Sequence, residues 1–449
     1  MKTTISILVC KIITFVCHLF GKSATVYPGS FVYKRNKKVL WNLNYPSTVV
    51  VVTGSSGKGS TINMAAHILK DANKKIVWNN KESNIDNAIV TTILNNTSVF
   101  SHRVNADIVL LEIDERHING LFKPGTISHM ILTNITRDQP SRNIHPDVIY
   151  DVIKNSIDDK MHLIINADDP ILNRFKLHHN GKISTYGIAK NKYSLMTKPG
   201  YAIDAQYCPS CHTKLRYDTY HYGHLGIYEC PKCNFKRGNI DFEASDIDLT
   251  KNTFKINGKD FVLNKNVFFA VYYTTAAYAL CKLIEIDDEK IEYAINKDVM
   301  KPVRMNNNYS FMGRKVELLE PKNENALSYL QDLNYIENQS GIKTIIIGFE
   351  SVSRRYSYND LSWLWDINFE VLSDKEIDRL FLIGKYKYDI AVRLVYAGIS
   401  EEKLVFIDDK DTLFKEVVNS KGNIYALVGE DVKAYINNLI KEASNEKEN

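Results

Sequence analysis

Three stretches of this sequence combine residue types at spacings that could do chemistry. The first is Gly54-Ser55-Ser56-Gly57-Lys58-Gly59-Ser60-Thr61, directly after a run of valines. Backbone amides in a glycine-rich turn, together with the start of a following helix, converge on an anion. A lysine there would sit on the outer phosphates of a nucleotide, and a hydroxyl after it would hold Mg2+. The strict phosphate-loop pattern is not met, because only two residues separate Gly54 from Gly57 and Gly59 follows the lysine. The second stretch is Glu112-Ile113-Asp114-Glu115. Mg2+ beside phosphates is usually held by one or two carboxylates plus water, and Glu112 is the candidate. The competing reading is an acidic cluster that opens a helix. The third is Cys208-Pro-Ser-Cys211, eighteen residues, then Cys230-Pro-Lys-Cys233. Each pair makes a knuckle that turns two thiolates onto one metal, and four thiolates close a tetrahedral, structural Zn2+ site. An unliganded or redox-active cluster is the alternative. Asn134-Ile135-Thr136-Arg137-Asp138-Gln139 and Asn166-Ala167-Asp168-Asp169-Pro170 are weaker, each a polar loop when read alone. His102, His117, His145 and His162 are dispersed, with His117 nearest the acids.

The elements that must position these groups can be read from hydrophobic patterning. Val49–Val52 form a buried strand, followed by the turn and a helix beginning near Thr61. The segments 75–80, 107–114, 129–135 and 162–169 read as further strands, with helical stretches between them such as 87–94. That alternation means a mostly parallel α/β sheet, whose ligands bind beyond the carboxyl ends of the strands. Residues 201–240 break the alternation and carry the paired cysteines, and apolar helical periodicity returns across Val267–Ile284. A boundary near Met300–Pro302 precedes a second α/β domain, with strands at 344–349, 379–384, 403–408 and 423–429. The expected organisation is an N-terminal segment (1–45) packed on a central domain (46–300) with an insert at about 201–240, then a C-terminal α/β domain (301–449).

Composition sets the outer limits. The 449 residues are 44% hydrophobic and 24% charged, which excludes a disordered or collagen-like chain. A net charge of +5, from 57 basic and 52 acidic residues, is too mild for a nucleic-acid binder on charge alone. Lys2 precedes two apolar runs interrupted by Lys11 and His18, with no small-x-small cleavage site after them. The expectation is a helix packed on the first domain rather than a secretory leader. No run reaches the ~20 apolar residues of a membrane span. Cys10, Cys17 and Cys281 stand among apolar neighbours, as core thiols of a cytoplasmic protein do.

The loop TGSSGKGST resembles the ATP loop TGTNGKTT of the Mur ligase superfamily. Within it, VYPGSFVYKRN (26–36), LEIDE (111–115), TNITRDQPSR (133–142), NADDP (166–170), the four-cysteine insert and SWLWDINFE (362–370) narrow the resemblance to the MurT family, ligase subunits of lipid II isoglutaminyl synthase. The resemblance implies an α/β fold with a Mur ligase-type central ATP-binding domain, a parallel sheet, a zinc-ribbon insert and a C-terminal α/β domain. It implies ATP, Mg2+ and Zn2+ as cofactors, and ATP-dependent amidation of the D-glutamyl carboxylate of the lipid II stem peptide through an acyl phosphate. Ammonia would come from a GatD-type glutamine amidotransferase subunit in a heterodimer, at the cytoplasmic face of the membrane, with no nucleic acid involved.

Carried over by position, Gly54, Gly57, Lys58, Gly59, Ser60 and Thr61 bind the nucleotide. Ser60 or Thr61 with Glu112 holds Mg2+, and Asn84 lines the phosphate side. Arg304 reaches ATP from the C-terminal domain, and Lys322-Asn323 matches a further family motif. Lys58 and Glu112 act in the ligase site. Asp360 would reach across to orient the glutaminase's catalytic histidine, with Asp366 the runner-up; the competing reading is that Asp360 caps a helix starting at Ser362 or only forms a turn. The sequence departs from the family at Gly59, at Glu82-Ser83 before Asn84, at Ser141, at Asn306, at Tyr356-Ser357-Tyr358 and at Val428–Asp431. A Mur-type ligase that adds an amino acid, of the folyl- or polyglutamate kind, and an inactive scaffold are the alternative readings.

Overall fold

The computed structural model describes residues 2–79, 83–137, 145–199, 203–264, 267–297, 308–352 and 360–445. The chain divides into two compact units, the first built mainly from residues 1–300 and the second from 301–449, joined in the second by the short stretches 137–145 and 199–204.

In the first unit the strands are β1 (Thr48–Thr53), β2 (Ile76–Trp78), β3 (Ile108–Glu112), β4 (His129–Leu132), β5 (His162–Asn166), β6 (Ile183–Ile188), β7 (Arg216–Tyr222), β8 (Leu225–Glu229), β9 (Phe242–Asp248), β10 (Thr253–Ile256) and β11 (Lys259–Val262). Nine of them form one sheet in the order β11-β10-β9-β6-β5-β4-β1-β3-β2, parallel from β2 through β9. The four valines of β1 are buried because both faces of this central strand are covered. β3 pairs on one side of β1 and β4 on the other, so the strand order reverses at β1. A crevice therefore opens beyond its carboxyl end, the position where ligands bind in such sheets. Residues 54–57, 112–115, 133–136 and 166–169 all follow strands at that end.

One face carries helix Thr3–Leu19, which buries Ile7 and Cys10 in a core with Val49, Val51, Leu111 and Leu132. Helix Phe269–Leu283 is buried nearly all round, as its almost continuous apolar and aromatic sequence requires. The helix after β1 spans Lys58–Asp71, three residues earlier than the sequence pattern indicates. Gly and Ser are poor helix formers, so Lys58-Gly59-Ser60 reads as loop. Gly57 at φ +83° turns the chain straight into the helix and overrides that propensity. The antiparallel β9–β10–β11 extension is absent from the sequence reading. Its strands are short and charged, although Asn257-Gly258, both at positive φ, is the turn pair favoured in two-residue hairpins.

The second unit has β12 (Asn308–Phe311), β13 (Arg314–Leu319), β14 (Lys343–Gly348), β15 (Ile377–Ile383), β16 (Leu404–Phe406) and β17 (Asn423–Val428), in the order β12-β13-β17-β14-β15-β16. All its pairings are parallel except the β12–β13 hairpin. Its core lies on two sides of the sheet. One is centred on Tyr329, Phe349, Trp363 and Phe369, the other on Phe311, Ile346, Phe381 and Leu413.

Candidate functional site

The glycine loop is held by its neighbour after β4. Gly54 has φ +130°, and a Cβ there would lie 2.4 Å from Thr133 Oγ1, so glycine is required for both conformation and space. The Ser55 amide donates to the Asn134 carbonyl (2.8 Å) and the Ser56 amide to Asn134 Oδ1 (3.0 Å). Asn134 Nδ2 and Thr133 Oγ1 donate back to the Ser56 carbonyl at 3.0 and 2.7 Å. The Thr136 amide donates to Ser55 Oγ at 3.0 Å. The stretch that is a weak polar loop in sequence is thus the clamp that shapes the glycine-rich loop. Lys58 folds back over that loop, with Nζ donating to the Gly54 carbonyl and, at 3.4 Å, to that of Ser55. Thr61 Oγ1 donates to the Gly57 carbonyl at 2.9 Å, so its hydroxyl is engaged by the helix backbone. Ser60 is half-buried, and its hydroxyl has no hydrogen bond among the described residues.

Glu112 faces the start of this helix. Its Oε2 is 3.4 Å from where a Cβ on Gly59 would stand, and its Oε1 accepts from Asn84 Nδ2 at 3.0 Å. Asn79 holds the Glu112 backbone at both ends, accepting from its amide (2.9 Å) and donating to its carbonyl (2.8 Å). Asn79 carries no sequence signal beyond being polar at a strand end. Asp114 is turned to a different task, accepting from the Arg116 amide at 3.1 Å to cap the short turn Glu115–His117. His117 Nδ1 lies 3.5 Å from Asp86 Oδ1, so its partner is a helix-opening aspartate.

A pocket beside the loop is lined by Gly57, Asn134, Asn166, Tyr186, Leu225 and Tyr272, among others. Leu225 starts β8, so the cysteine insert supplies part of this wall. Asp168, fully buried, holds the insert in place. Its carbonyl accepts from the Gly226 amide (2.9 Å), its Oδ2 accepts from Tyr272 Oη (2.8 Å), and its Oδ1 pairs with Arg237 Nε (2.5 Å). Asp169 accepts from the Ile135 amide at 2.8 Å and so braces the Asn134 clamp. Neither the aromatic wall nor Leu225 stands out in the sequence, since both look like core.

The four cysteine sulfurs lie within 4.8 Å of one another, with Cys208–Cys233 at 3.5 Å and Cys211–Cys230 at 3.4 Å. Zn–S bonds of ~2.3 Å give a tetrahedron with edges of ~3.8 Å, so the donor set fits a four-thiolate metal. The core beneath is small, made of Leu215, Tyr228 and Phe235 with the cysteines themselves.

In the second unit Asp360 Oδ1 accepts from the Ser362 amide at 2.8 Å, ahead of the 3-10 turn Ser362–Asp366. Asp366 Oδ2 pairs with Arg137 Nη1 at 2.8 Å, and Arg137 Nη2 donates to Ser362 Oγ at 2.8 Å. Burial raises the Asp366 pKa against the pull of Arg137. Asn323 bridges the Ser351 carbonyl (2.9 Å) and Tyr329 Oη (3.1 Å). Arg304 lies outside the described residues, as do Ser141, Asn306 and Tyr356–Tyr358. The fold therefore gathers the loop, Lys58, Gly59, Ser60, Thr61, Asn84 and Glu112 in the first unit, while Asp360 belongs to the second.

Comparison with known proteins matches residues 52–212 to the Mur ligase middle domain and residues 323–429 to the MurT ligase C-terminal domain. The chain is 27% identical over 402 residues to the lipid II isoglutaminyl synthase (glutamine-hydrolyzing) subunit MurT of Staphylococcus aureus (strain N315), covering 89% of each chain. Identity to the same-named subunit of Streptococcus pneumoniae (strain ATCC BAA-255 / R6) is 25% over 431 residues, 93% of this chain and 92% of that one. Among solved structures, a pseudomurein peptide ligase type C from Methanothermus fervidus superposes with a TM-score of 0.67 at 21% identity, covering 90% of this chain and 80% of that one. The MurF ligase of Thermotoga maritima in complex with ADP gives a TM-score of 0.57 at 14% identity, covering 94% and 85%. The fold is that of these ligases, and the chain carries a Mur ligase middle domain followed by a MurT ligase C-terminal domain, with similarity to MurT subunits over most of its length.

Proposed function

We propose that this chain is the ligase subunit of a glutamine-hydrolysing lipid II isoglutaminyl synthase. A carboxylate is a poor electrophile, so its oxygen must first take the γ-phosphoryl of ATP, releasing ADP and leaving an acyl phosphate. Ammonia then forms the C–N bond and inorganic phosphate departs with the C–O electron pair, converting the D-glutamyl carboxylate of the stem peptide to its amide. Charge on the transferred group has to be neutralised by fixed donors and cations. Lys58 and the loop amides supply the donors. Glu112, with Ser60 as the freer of the two hydroxyls, would hold Mg2+, which neutralises the β- and γ-phosphate oxygens when bound. Asn84 orients the Glu112 carboxylate, and Arg304 is assigned to the nucleotide from the C-terminal domain. Zn2+ on the four cysteines would be structural, since a closed tetrahedron leaves no position for substrate. The ammonia would come from a GatD-type subunit whose histidine Asp360 orients, at the cytoplasmic membrane face.

The observation that carries this reading is Glu112 opposed to a lysine-bearing glycine loop, in a chain similar over nine-tenths of its length to MurT subunits. The test combines the chain with a glutaminase subunit, lipid II, glutamine, ATP and Mg2+. The expected products are ADP, phosphate and lipid II in which one carboxyl has become an amide, read by mass spectrometry. Incorporation of an amino acid in place of ammonia would reassign it to the amino-acid-adding ligases. No ATP turnover with any acceptor would make it a scaffold.

A further inference from the structure

Helix Thr3–Leu19 has two apolar faces, and the fold uses only one. Ser6, Ile7 and Cys10 pack inward. The helix is tied down by Lys11 Nζ donating to the Asn95 carbonyl (2.8 Å), Asn95 Nδ2 to Thr14 Oγ1 (3.0 Å) and Asn36 Nδ2 to Ser6 Oγ (3.1 Å). The opposite face presents Ile5, Leu8, Ile12, Phe15, Val16 and Leu19, all exposed, with Phe15 at 68% and Leu19 at 69%. Steps of three and four residues put these six on one stripe. Phe20, just beyond the helix, extends it at 71% exposure. A stripe of this length on a well-anchored helix needs a partner surface.

Charge identifies the chemistry of that surface. Residues 2–38 hold seven lysines and arginines (Lys2, Lys11, Lys22, Lys34, Arg35, Lys37 and Lys38), and the first acid of the chain is Asp71. The remaining residues carry 50 basic against 52 acidic groups, so the whole net positive charge resides in this segment. All seven except Lys11 are exposed. Two such segments would repel each other, which disfavours a second copy as the occupant. An anionic lipid surface attracts them, at about 1 kcal/mol per basic residue close to the membrane. No described helix is long and apolar enough to cross a membrane, and 17 residues span only ~26 Å. A short helix with an apolar stripe and basic flanks lies in the plane of the interface.

We propose that helix Thr3–Leu19 docks this protein on anionic membranes, sinking Ile5, Leu8, Ile12, Phe15 and Leu19 into the acyl boundary while the basic residues after it meet lipid phosphates. The proposal does not depend on the ligase reading, because vesicle binding requires neither ATP nor an acceptor. The test is co-sedimentation of the full chain with vesicles of phosphatidylcholine alone or mixed with phosphatidylglycerol. Binding is expected on the mixed vesicles, weakened by high salt, and reduced about tenfold or more in Phe15→Glu and in Leu8→Glu. Both side chains are exposed, so an unchanged circular dichroism melt shows that the variants fold. No sedimentation with anionic vesicles, equal sedimentation with neutral ones, or variants that bind like wild type would each overturn the proposal. A wild-type dimer that either substitution converts to monomer would assign the stripe to a second copy instead.

Discussion

The glycine-rich loop and the cysteine insert sit beside the same pocket and are held by opposite means. The loop is fixed by the sheet. Only glycine fits at position 54 beside Thr133, and a set of side-chain and backbone hydrogen bonds from Asn134 and Thr133 sets the shape of the loop. β1, β3 and β4 beneath it are buried along almost their whole length. The insert has a two-stranded hairpin, a core of three large side chains and its cysteines. Isolated hairpins are marginal in water, so a metal held by the four thiolates would supply the cohesion that so small a core lacks. The difference separates two kinds of side chain. In the loop, removing a single group should leave its neighbours in place, so that the loss reads out as chemistry. In the insert, losing one metal ligand should undo the element that carries Leu225.

Lys58→Ala is the sharpest test of the first half. Lys58 lies on the loop and not in the sheet, its ammonium donating to the Gly54 and Ser55 carbonyls. ATP-dependent amidation should fall by about 10²-fold or more, the scale of losing one preorganised donor to transferred charge. The thermal midpoint should hardly change. A variant that unfolds would show that the loop depends on this lysine for its structure.

Asp360→Asn extends the contrast to the second unit. Asparagine caps as well as aspartate, so the bond from the Ser362 amide can survive while the charge is lost. If the carboxylate serves a glutaminase histidine, glutamine-dependent amidation should fall about 10²-fold or more, and activity with an ammonium salt should be nearly unchanged. Equal loss with both nitrogen sources would place Asp360 in the ligase site or in the fold.

Metal removal probes the insert itself. Chelation, or Cys230→Ser, should abolish one equivalent of bound zinc per chain and expose the hairpin to protease. Leu225 and the Gly226 amide link the hairpin to the pocket and to Asp168. Nucleotide affinity should therefore drop as well, by about tenfold for each ~1.4 kcal/mol that the displaced wall supplies to binding. Zinc-free protein that binds nucleotide normally would show that the hairpin is held by Arg237 and Asp168 without metal.

Legibility follows the same division. Elements specified by local pattern can be read directly: the four valines of β1, the periodicity behind Phe269–Leu283 and the cysteine spacing. Features set by partners distant in sequence cannot. The helix begins at Lys58 because Gly57 adopts a left-handed conformation beneath the Phe269 ring, 212 residues away in the chain. Asn134 looks like an ordinary loop residue until its two bonds to Ser56 are seen. Asp114 and Glu112 are alike in the string, and they part only because β3 ends at Glu112, which faces the helix start, while Asp114 lies beyond the strand and caps a turn. The Leu225 wall and the outward stripe of Thr3–Leu19 are hidden because an apolar residue in a sequence reads as core whichever way it points.

The smallest effect expected is the most specific. Asn84 Nδ2 donates to Glu112 Oε1, and its carbonyl accepts from the Asp114 amide. If Glu112 holds Mg2+ through Oε2, Asn84 acts by fixing the carboxylate plane. A partner of that kind is worth ~10-fold in metal affinity, at the low end for groups that orient ligands. Asn84→Ala should therefore raise the Mg2+ concentration for half-maximal activity by about tenfold and leave the rate at saturating Mg2+ nearly intact, since the ligand itself remains. Glu112→Gln should move the same midpoint further and also lower the plateau, because a neutral amide neither binds the ion well nor balances its charge. A loss of plateau rate in Asn84→Ala at unchanged midpoint would mean that Asn84 contacts the nucleotide directly. An unchanged titration in both variants would pass the metal role to Asp114 or Glu115, and the loop would then be organised by its sheet but not completed by β3.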